Sequence, residues 1–155
     1  MKLTSQTNYA IRMLMFCHSK GELTNVKEIA SFYGLSERFL FNILQNLTAN
    51  GYIETIRGRG GGIRLAKSAE RIQLGDVVRD MEENFEMAEC FEAAGADCPL
   101  IGTCGLNKAL HEALAAFFVA LNQYTIADLT GNEYNIDVLL QLQEATKLPF
   151  ITSSQ

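Results

Sequence analysis

Residues 57–62 read Arg57-Gly58-Arg59-Gly60-Gly61-Gly62, between Tyr52-Ile53-Glu54-Thr55-Ile56 and Ile63-Arg64-Leu65. β-Branched and aromatic residues on both sides of a glycine run predict an antiparallel hairpin with a basic tip. The glycines let the backbone turn tightly and approach a neighbouring phosphate closely. A run of this kind also cradles nucleotide phosphates in some folds. Here no Gly-Lys-Ser/Thr follows and no helix opens directly behind it, which argues against a nucleotide site.

What precedes the hairpin narrows the fold. Thr4 or Ser5 caps a first helix whose Tyr9, Ala10, Met13, Leu14, Phe16 and Cys17 recur at helical spacing, and Lys20-Gly21-Glu22 ends it. Thr24 and Asn25 open a short second helix through Val26, Ile29, Ala30 and Phe32, with Asn25 and Glu28 spaced as a capping box, and Tyr33-Gly34 closes it. Ser36 then caps a third helix to about Asn50, which Gly51 stops. Two short helices joined by a glycine turn form the helix-turn-helix signature, which other helical hairpins share.

The third helix is more discriminating. Phe39, Leu40, Ile43, Leu44 and Leu47 make one apolar face and leave Arg38, Phe41, Asn42 and Gln45 on the other. Arg, Asn and Gln side chains hydrogen-bond base edges in a major groove, whereas the same residues also suit an ordinary solvated surface. Phe41 on that polar face suits thymine methyl groups or a partner surface. Three helices followed by a basic hairpin predict a winged helix-turn-helix, with Arg57, Arg59 and Arg64 at phosphates or in a minor groove.

The net charge of −5 conceals a split. Residues 1–75 hold ten Lys/Arg against five Asp/Glu, and residues 76–155 hold three against thirteen. The basic half coincides with the expected DNA-binding unit. No window approaches the length of apolar sequence that a membrane span needs, and Met1-Lys2-Leu3-Thr4-Ser5 lacks the apolar run of a secretory signal, so a cytoplasmic protein is expected. His18 and His111 are isolated, and no acid/base or nucleophile constellation points to an enzyme.

Beyond the hairpin, Leu74, Val77, Val78 and Met81 mark a fourth helix to about Glu83. Residues 85–105 are irregular. A long fifth helix runs from about Leu106 to Asn122, with Leu110, Leu114, Phe117, Phe118 and Leu121 on one stripe. Its alanines (Ala109, Ala113, Ala115, Ala116, Ala120) permit close approach of a second helix; such a stripe also suits intramolecular core, but the domain is small and already has its own core, which favours a dimerisation helix. Thr125 to Leu129 reads as a short helix, and Ile136 to Leu142 have an amphipathic pattern without a readable role. The expected class is mainly α with a small β-hairpin wing. Its divisions are a winged helix-turn-helix domain (1–83), a cysteine loop (84–105), a dimerisation region (106–130) and a tail (131–155).

Three of the four cysteines, Cys90, Cys98 and Cys104, lie in a C-x7-C-x5-C pattern, while Cys17 belongs to the apolar face of the first helix. A loop broken by Gly95, Pro99 and Gly102 lets thiolates converge from directions a helix cannot supply. No CxxC pair of the kind zinc sites use is present, and His111 is the one nearby histidine. Iron–sulfur clusters are held by thiolates, usually four, so three leave one iron for a weaker or exogenous ligand, as a sensor needs. Three unrelated or disulfide-forming cysteines are the alternative.

Leu3-Thr4 with Tyr9-Ala10, the Gly34-Leu35-Ser36 turn, the Arg57-to-Leu65 hairpin, Leu74-Gly75-Asp76-Val77-Val78 and the three cysteine segments together are specific. Over about residues 1–130 the chain resembles the winged-helix iron–sulfur transcriptional regulators of the IscR/NsrR family, nearest to their rhizobial iron-regulator branch. The resemblance implies a homodimeric repressor of iron-uptake genes on double-stranded operator DNA, with no membrane or small-molecule substrate. It implies an iron–sulfur cluster, 4Fe–4S and convertible to 2Fe–2S or the apo form, on Cys90, Cys98 and Cys104. It also implies DNA contacts by Ser36, Arg38, Phe41, Asn42, Gln45, Arg57, Arg59 and Arg64, with Arg57 matching a minor-groove arginine. Asn107 and Asn8 stand where relatives place a His or an acidic fourth ligand, so the fourth ligand is open. The rivals are a nitric oxide or redox sensor of the same family and a cluster-carrying electron-transfer protein.

Overall fold

A computed structural model describes residues 2–88, 91 and 103–131. Helix α1 spans Ser5–Lys20, and the Thr4 side chain accepts a hydrogen bond from the Thr7 N–H at its start. Helix α2 (Val26–Tyr33) is capped by the Asn25 side chain, which accepts from the Glu28 N–H at 2.9 Å. Helix α3 (Glu37–Ala49) is capped by Ser36, whose Oγ accepts from the Phe39 N–H at 3.3 Å. Each cap satisfies a donor that the helix itself leaves without a partner. The turn between α2 and α3 needs a left-handed residue, and Gly34 supplies it with φ +66°.

The apolar stripes meet as their spacing predicts. Ala10, Met13, Leu14, Phe16 and Cys17 of α1 pack with Ile29 of α2 and with Leu40, Ile43 and Leu47 of α3, all buried. Burying a Leu or Ile side chain of this kind stabilises the fold by about 1.5–3 kcal/mol. A second link comes from the aromatic residues at the rim. Tyr9 meets Phe39 edge-on at 5.8 Å and Tyr33 at 6.3 Å, and the Arg12 guanidinium lies over both tyrosine rings. This set fixes the first turn of α3 relative to α1.

Strands β1 (Ile53–Ile56) and β2 (Gly62–Leu65) pair antiparallel, with Glu54 opposite Arg64 and Thr55 opposite Ile63. Thr24 does not serve as a helix cap. It adds a third short rung to the hairpin: its N–H donates to Ile63 O at 3.1 Å, and the Ile63 N–H donates to Thr24 O at 2.8 Å. The buried Thr24 therefore docks the wing onto the turn between α1 and α2. The side chain of Glu28 turns the same way, accepting from Thr24 Oγ1 at 2.6 Å and from Lys20 Nζ at 2.8 Å rather than reaching back to its own cap.

After a 3-10 turn at Ala69–Arg71, helix α4 (Leu74–Met81) buries Val77, Val78 and Met81. It ends at Met81, two residues short of the expected Glu83, because the backbone at Glu82 is already extended. Helix α5 covers Gly105–Leu121, close to the expected range. It crosses α4 at Gly75, where a Cβ would lie 2.1 Å from Asn122 Oδ1. The chain then returns to the core: Ile126 is fully buried, and its N–H donates to Ile72 O at 2.9 Å. The short helix expected at Thr125–Leu129 is a 3-10 turn (Asp128–Thr130), and Thr125 and Asp128 cap one another across it. The amphipathic pattern at 136–142 lies outside the described residues. Among the described residues no helix is long and apolar enough to cross a membrane.

Candidate nucleic-acid interface and cysteine segment

Once Leu40, Ile43, Leu44 and Leu47 turn inward, the 3.6-residue period directs Arg38, Phe41, Asn42 and Gln45 outward, and all four are exposed. Their spacing of i, i+3, i+4 and i+7 makes one continuous strip. Ser36 is exposed at the N-terminal end of the same helix, where free N–H groups favour anions.

The wing carries the second basic group. Gly58 and Gly60 adopt φ +105° and +83°, and the exposed Arg57 and Arg59 flank Gly58. Neither arginine has an acidic partner among the described residues. Arg64 differs from them, because its Nε donates to Glu54 Oε1 at 2.6 Å across the two strands. Both groups of that pair are about half exposed, so the bridge is worth at most about 1 kcal/mol and yields to a stronger anion.

The base of the wing is tied to α4. The buried Tyr52 donates its hydroxyl to Asp80 Oδ2 at 2.5 Å, and Lys67 Nζ lies 4.4 Å from the centre of its ring. Burial, and then the Asp80 carboxylate, push the Tyr52 hydroxyl well above the usual tyrosine range. The hydroxyl therefore stays protonated and keeps donating. Burial likewise raises Tyr33 to about 12.

The cysteines divide as expected in one respect. Cys17 is buried in the core, and burial pushes its thiol up to about 12, so it is an inert packing residue. Cys104 stands at the N-cap of α5, half-buried and not in a disulfide. Cys90 and Cys98 lie outside the described residues, and among the described residues no group of three His, Cys, Asp or Glu could hold a metal. The residue after Cys90 is nevertheless placed. Phe91 stacks on His111 of α5 with ring centres 4.2 Å apart and planes 20° apart. Phe91 thus lies against the helix that Cys104 begins. A thiol donor at a helix N-terminus, with a second cysteine's neighbour held on the same helix, fits a thiolate-ligated cluster.

Glu82, the C-cap of α4, ties that helix to the start of α1 within the DNA-binding unit. Its carboxylate accepts from the Thr4 N–H at 3.0 Å, from Thr4 Oγ1 at 3.1 Å and from Thr7 Oγ1. The carboxylate at the end of α4 thereby completes the N-terminus of α1. Sequence reasoning missed Glu82, Thr24 and the Tyr52–Asp80 pair, since each joins residues far apart in the chain. Helix α5 has no fully buried residue. Leu110, Leu114, Phe117, Phe118 and Leu121 are half-buried, and Leu106 and Val119 keep 63% and 65% of their surface exposed.

Three packed helices, a glycine turn before an outward polar helix face, and a docked basic hairpin define a winged helix-turn-helix transcriptional regulator. The match extends over residues 3–132 to a family profile described as Rrf2, iron-dependent transcriptional regulator, and the chain belongs to that family. It is 55% identical over 148 residues to Protein aau3 of Rhizobium meliloti (strain 1021), covering 95% of this chain and 96% of that one. It is 44% identical over 146 residues to the HTH-type transcriptional regulator NsrR of Bacillus subtilis (strain 168), covering 93% and 100%. Its fold superposes on T. potens IscR with a TM-score of 0.64 over 83% of this chain and 85% of the other, at 23% identity. That last likeness speaks for the fold alone.

Proposed function

We propose that this protein is an iron-responsive repressor that binds operator DNA as a homodimer and senses iron through an iron–sulfur cluster on Cys90, Cys98 and Cys104. The observation that carries the reading is the joining of two surfaces by one scaffold. The helix and hairpin that carry the exposed strip and the wing arginines share one core with α4, and α4 precedes the cysteine segment in the chain. Arg38, Asn42 and Gln45 take base edges in the major groove, with Phe41 beside them. Ser36 lies near phosphate, Arg57 and Arg59 reach phosphates or the minor groove, and Arg64 joins them when it leaves Glu54. The exposed apolar side chains of α5 support a homodimer interface, because a surface of that kind is covered in a stable soluble protein. The bound cluster supplies the sensing chemistry. The residues of this chain would hold it, with Cys104 at the start of α5 and Phe91, which follows Cys90 in the sequence, stacked on His111 of the same helix. A cytoplasmic location, where thiols stay reduced, belongs to this reading.

The relatives named NsrR favour a second reading, in which nitric oxide or a redox change is the signal. The test is operator binding by anaerobically purified protein in three parallel samples: untreated, treated with an iron chelator, and exposed to nitric oxide. Iron sensing requires that chelation alone release the DNA. Release by nitric oxide with no response to chelation supports the second reading, and DNA binding indifferent to both refutes the sensor.

A further inference from the structure

Phe41 differs in chemistry from every other residue on the exposed strip of α3. It keeps 48% of its surface in water, although the buried face of the same helix is less than half a turn away. Its helical neighbours are the exposed Arg38, Asn42 and Gln45, all hydrogen-bonding side chains. The large exposed apolar residues Leu106, Val119 and Tyr124 lie on or just after α5, Ile56 lies in the wing and Leu23 beside it. Phe41 therefore belongs to no apolar patch of its own helix, as a protein-binding residue would. The helix that carries it is also fixed, by the Ser36 cap and by the edge-on contact of Tyr9 with Phe39.

A base edge in the major groove offers hydrogen-bonding groups at every pair and a single apolar feature, the 5-methyl of thymine. We propose that Phe41 is a specificity-determining residue that reads a thymine 5-methyl next to the bases taken by Asn42 and Gln45. The proposal rests on the DNA-binding reading of this strip and deepens it, by stating which chemical group the strip's apolar member selects.

The test removes that group and nothing else. The full-length protein, purified anaerobically, selects its operator from random-sequence double-stranded DNA, and each thymine of that operator is then replaced in turn by uracil. At one or two adjacent positions uracil weakens wild-type binding by about 4-fold, the factor equivalent to about 0.8 kcal/mol for one buried methyl-sized group. Phe41→Ala binds the thymine and uracil forms equally, whereas Arg38→Ala keeps the 4-fold difference. Phe41 is exposed, so its replacement leaves the thermal unfolding temperature unchanged. Wild-type indifference to uracil at every position overturns the proposal, as does a uracil penalty that persists in Phe41→Ala. A changed oligomeric mass with unchanged base preference in Phe41→Ala also overturns it, placing the ring at a protein interface. In these three outcomes DNA binding itself stands. Failure to enrich any DNA overturns the parent reading together with this one.

Discussion

The Gly62→Ala substitution tests the physical reason for the glycine run. The backbone of Gly62 is not in the left-handed region, so its own conformation does not require glycine. Space does. A Cβ there would lie 2.3 Å from Thr24 O and 3.3 Å from Thr24 C, and both atoms are main chain and cannot swing aside. Relief comes only by parting β2 from the segment at Thr24. The two hydrogen bonds between Thr24 and Ile63, at 3.1 and 2.8 Å, are then stretched or lost. At about 0.5–1.5 kcal/mol each, that loss is about 1–3 kcal/mol. Stiffening the unfolded chain returns about 0.4–1 kcal/mol, so the midpoints of the two ranges leave a net destabilisation of about 1.3 kcal/mol. Urea unfolding measures the change, and hydrogen exchange at the Ile63 N–H reports the undocking directly. The comparison is Gly58→Ala: nothing lies within 4 Å of its Cβ, but its φ of +105° makes any side chain strained, so it costs about 1–2 kcal/mol with Ile63 still protected. A Gly62→Ala protein within 0.5 kcal/mol of wild type (roughly the noise of surface substitutions), with a protected Ile63 amide, refutes the docking argument.

Further predictions concern charge, hydrogen bonding and the cysteines. Arg57→Ala weakens operator binding by about 1–3 kcal/mol and lowers the salt dependence by about one phosphate, while Arg64→Ala costs less, because Arg64 first gives up Glu54; affinity titrations across salt concentrations check both. Tyr52→Phe leaves Asp80 without its donor and destabilises by about 1–2 kcal/mol in urea unfolding, with a native-like circular dichroism spectrum. Burial raises the Glu28 carboxyl, but the hydrogen bonds from Lys20 and Thr24 outweigh it and hold the group below its ordinary value. Its stabilising effect is therefore full above the ordinary glutamate pKa and lost as pH falls through the lowered one. Wild type should accordingly lose more stability than Glu28→Gln when unfolding is compared at pH 6 and at about pH 3, below the usual glutamate range. Cys90→Ala and Cys104→Ala abolish the visible iron–sulfur absorbance of anaerobic preparations, whereas Cys17→Ser leaves it intact.

Much of the fold was legible because its signals are local. The caps at Thr4, Asn25 and Ser36, the stops at Gly21 and Gly34, and the inward and outward faces of α3 each depend on residues within one or two turns. The hairpin was legible for the same reason. Its glycines, however, serve two purposes that composition does not separate. Gly58 and Gly60 provide left-handed turns, while Gly61 and Gly62 allow backbones to approach. Thr24 has the local pattern of a helix opener, and its actual partner, Ile63, is distant in sequence. The return of Ile126 to the core and the reach of Glu82 to Thr4 were hidden similarly. Of the candidate site, the α3 strip and the wing arginines were identified from spacing. The commitment of Arg64 to Glu54 follows from strand register, which the hairpin pattern left unspecified.

The proposed sensor depends on one coupling, in which a cysteine-held iron–sulfur cluster would set the affinity of the winged helix for DNA. Its most direct test measures both ends in a single preparation. Native mass spectrometry of the anaerobic protein records the dimer and its iron and sulfide content, and operator affinity is measured on the same sample before and after the iron is removed. The expected result is a cluster on each protomer and a loss of operator affinity of at least about 10-fold (about 1.4 kcal/mol) when it is gone. A preparation that carries no iron and sulfide, or one whose DNA affinity is the same with and without them, contradicts it.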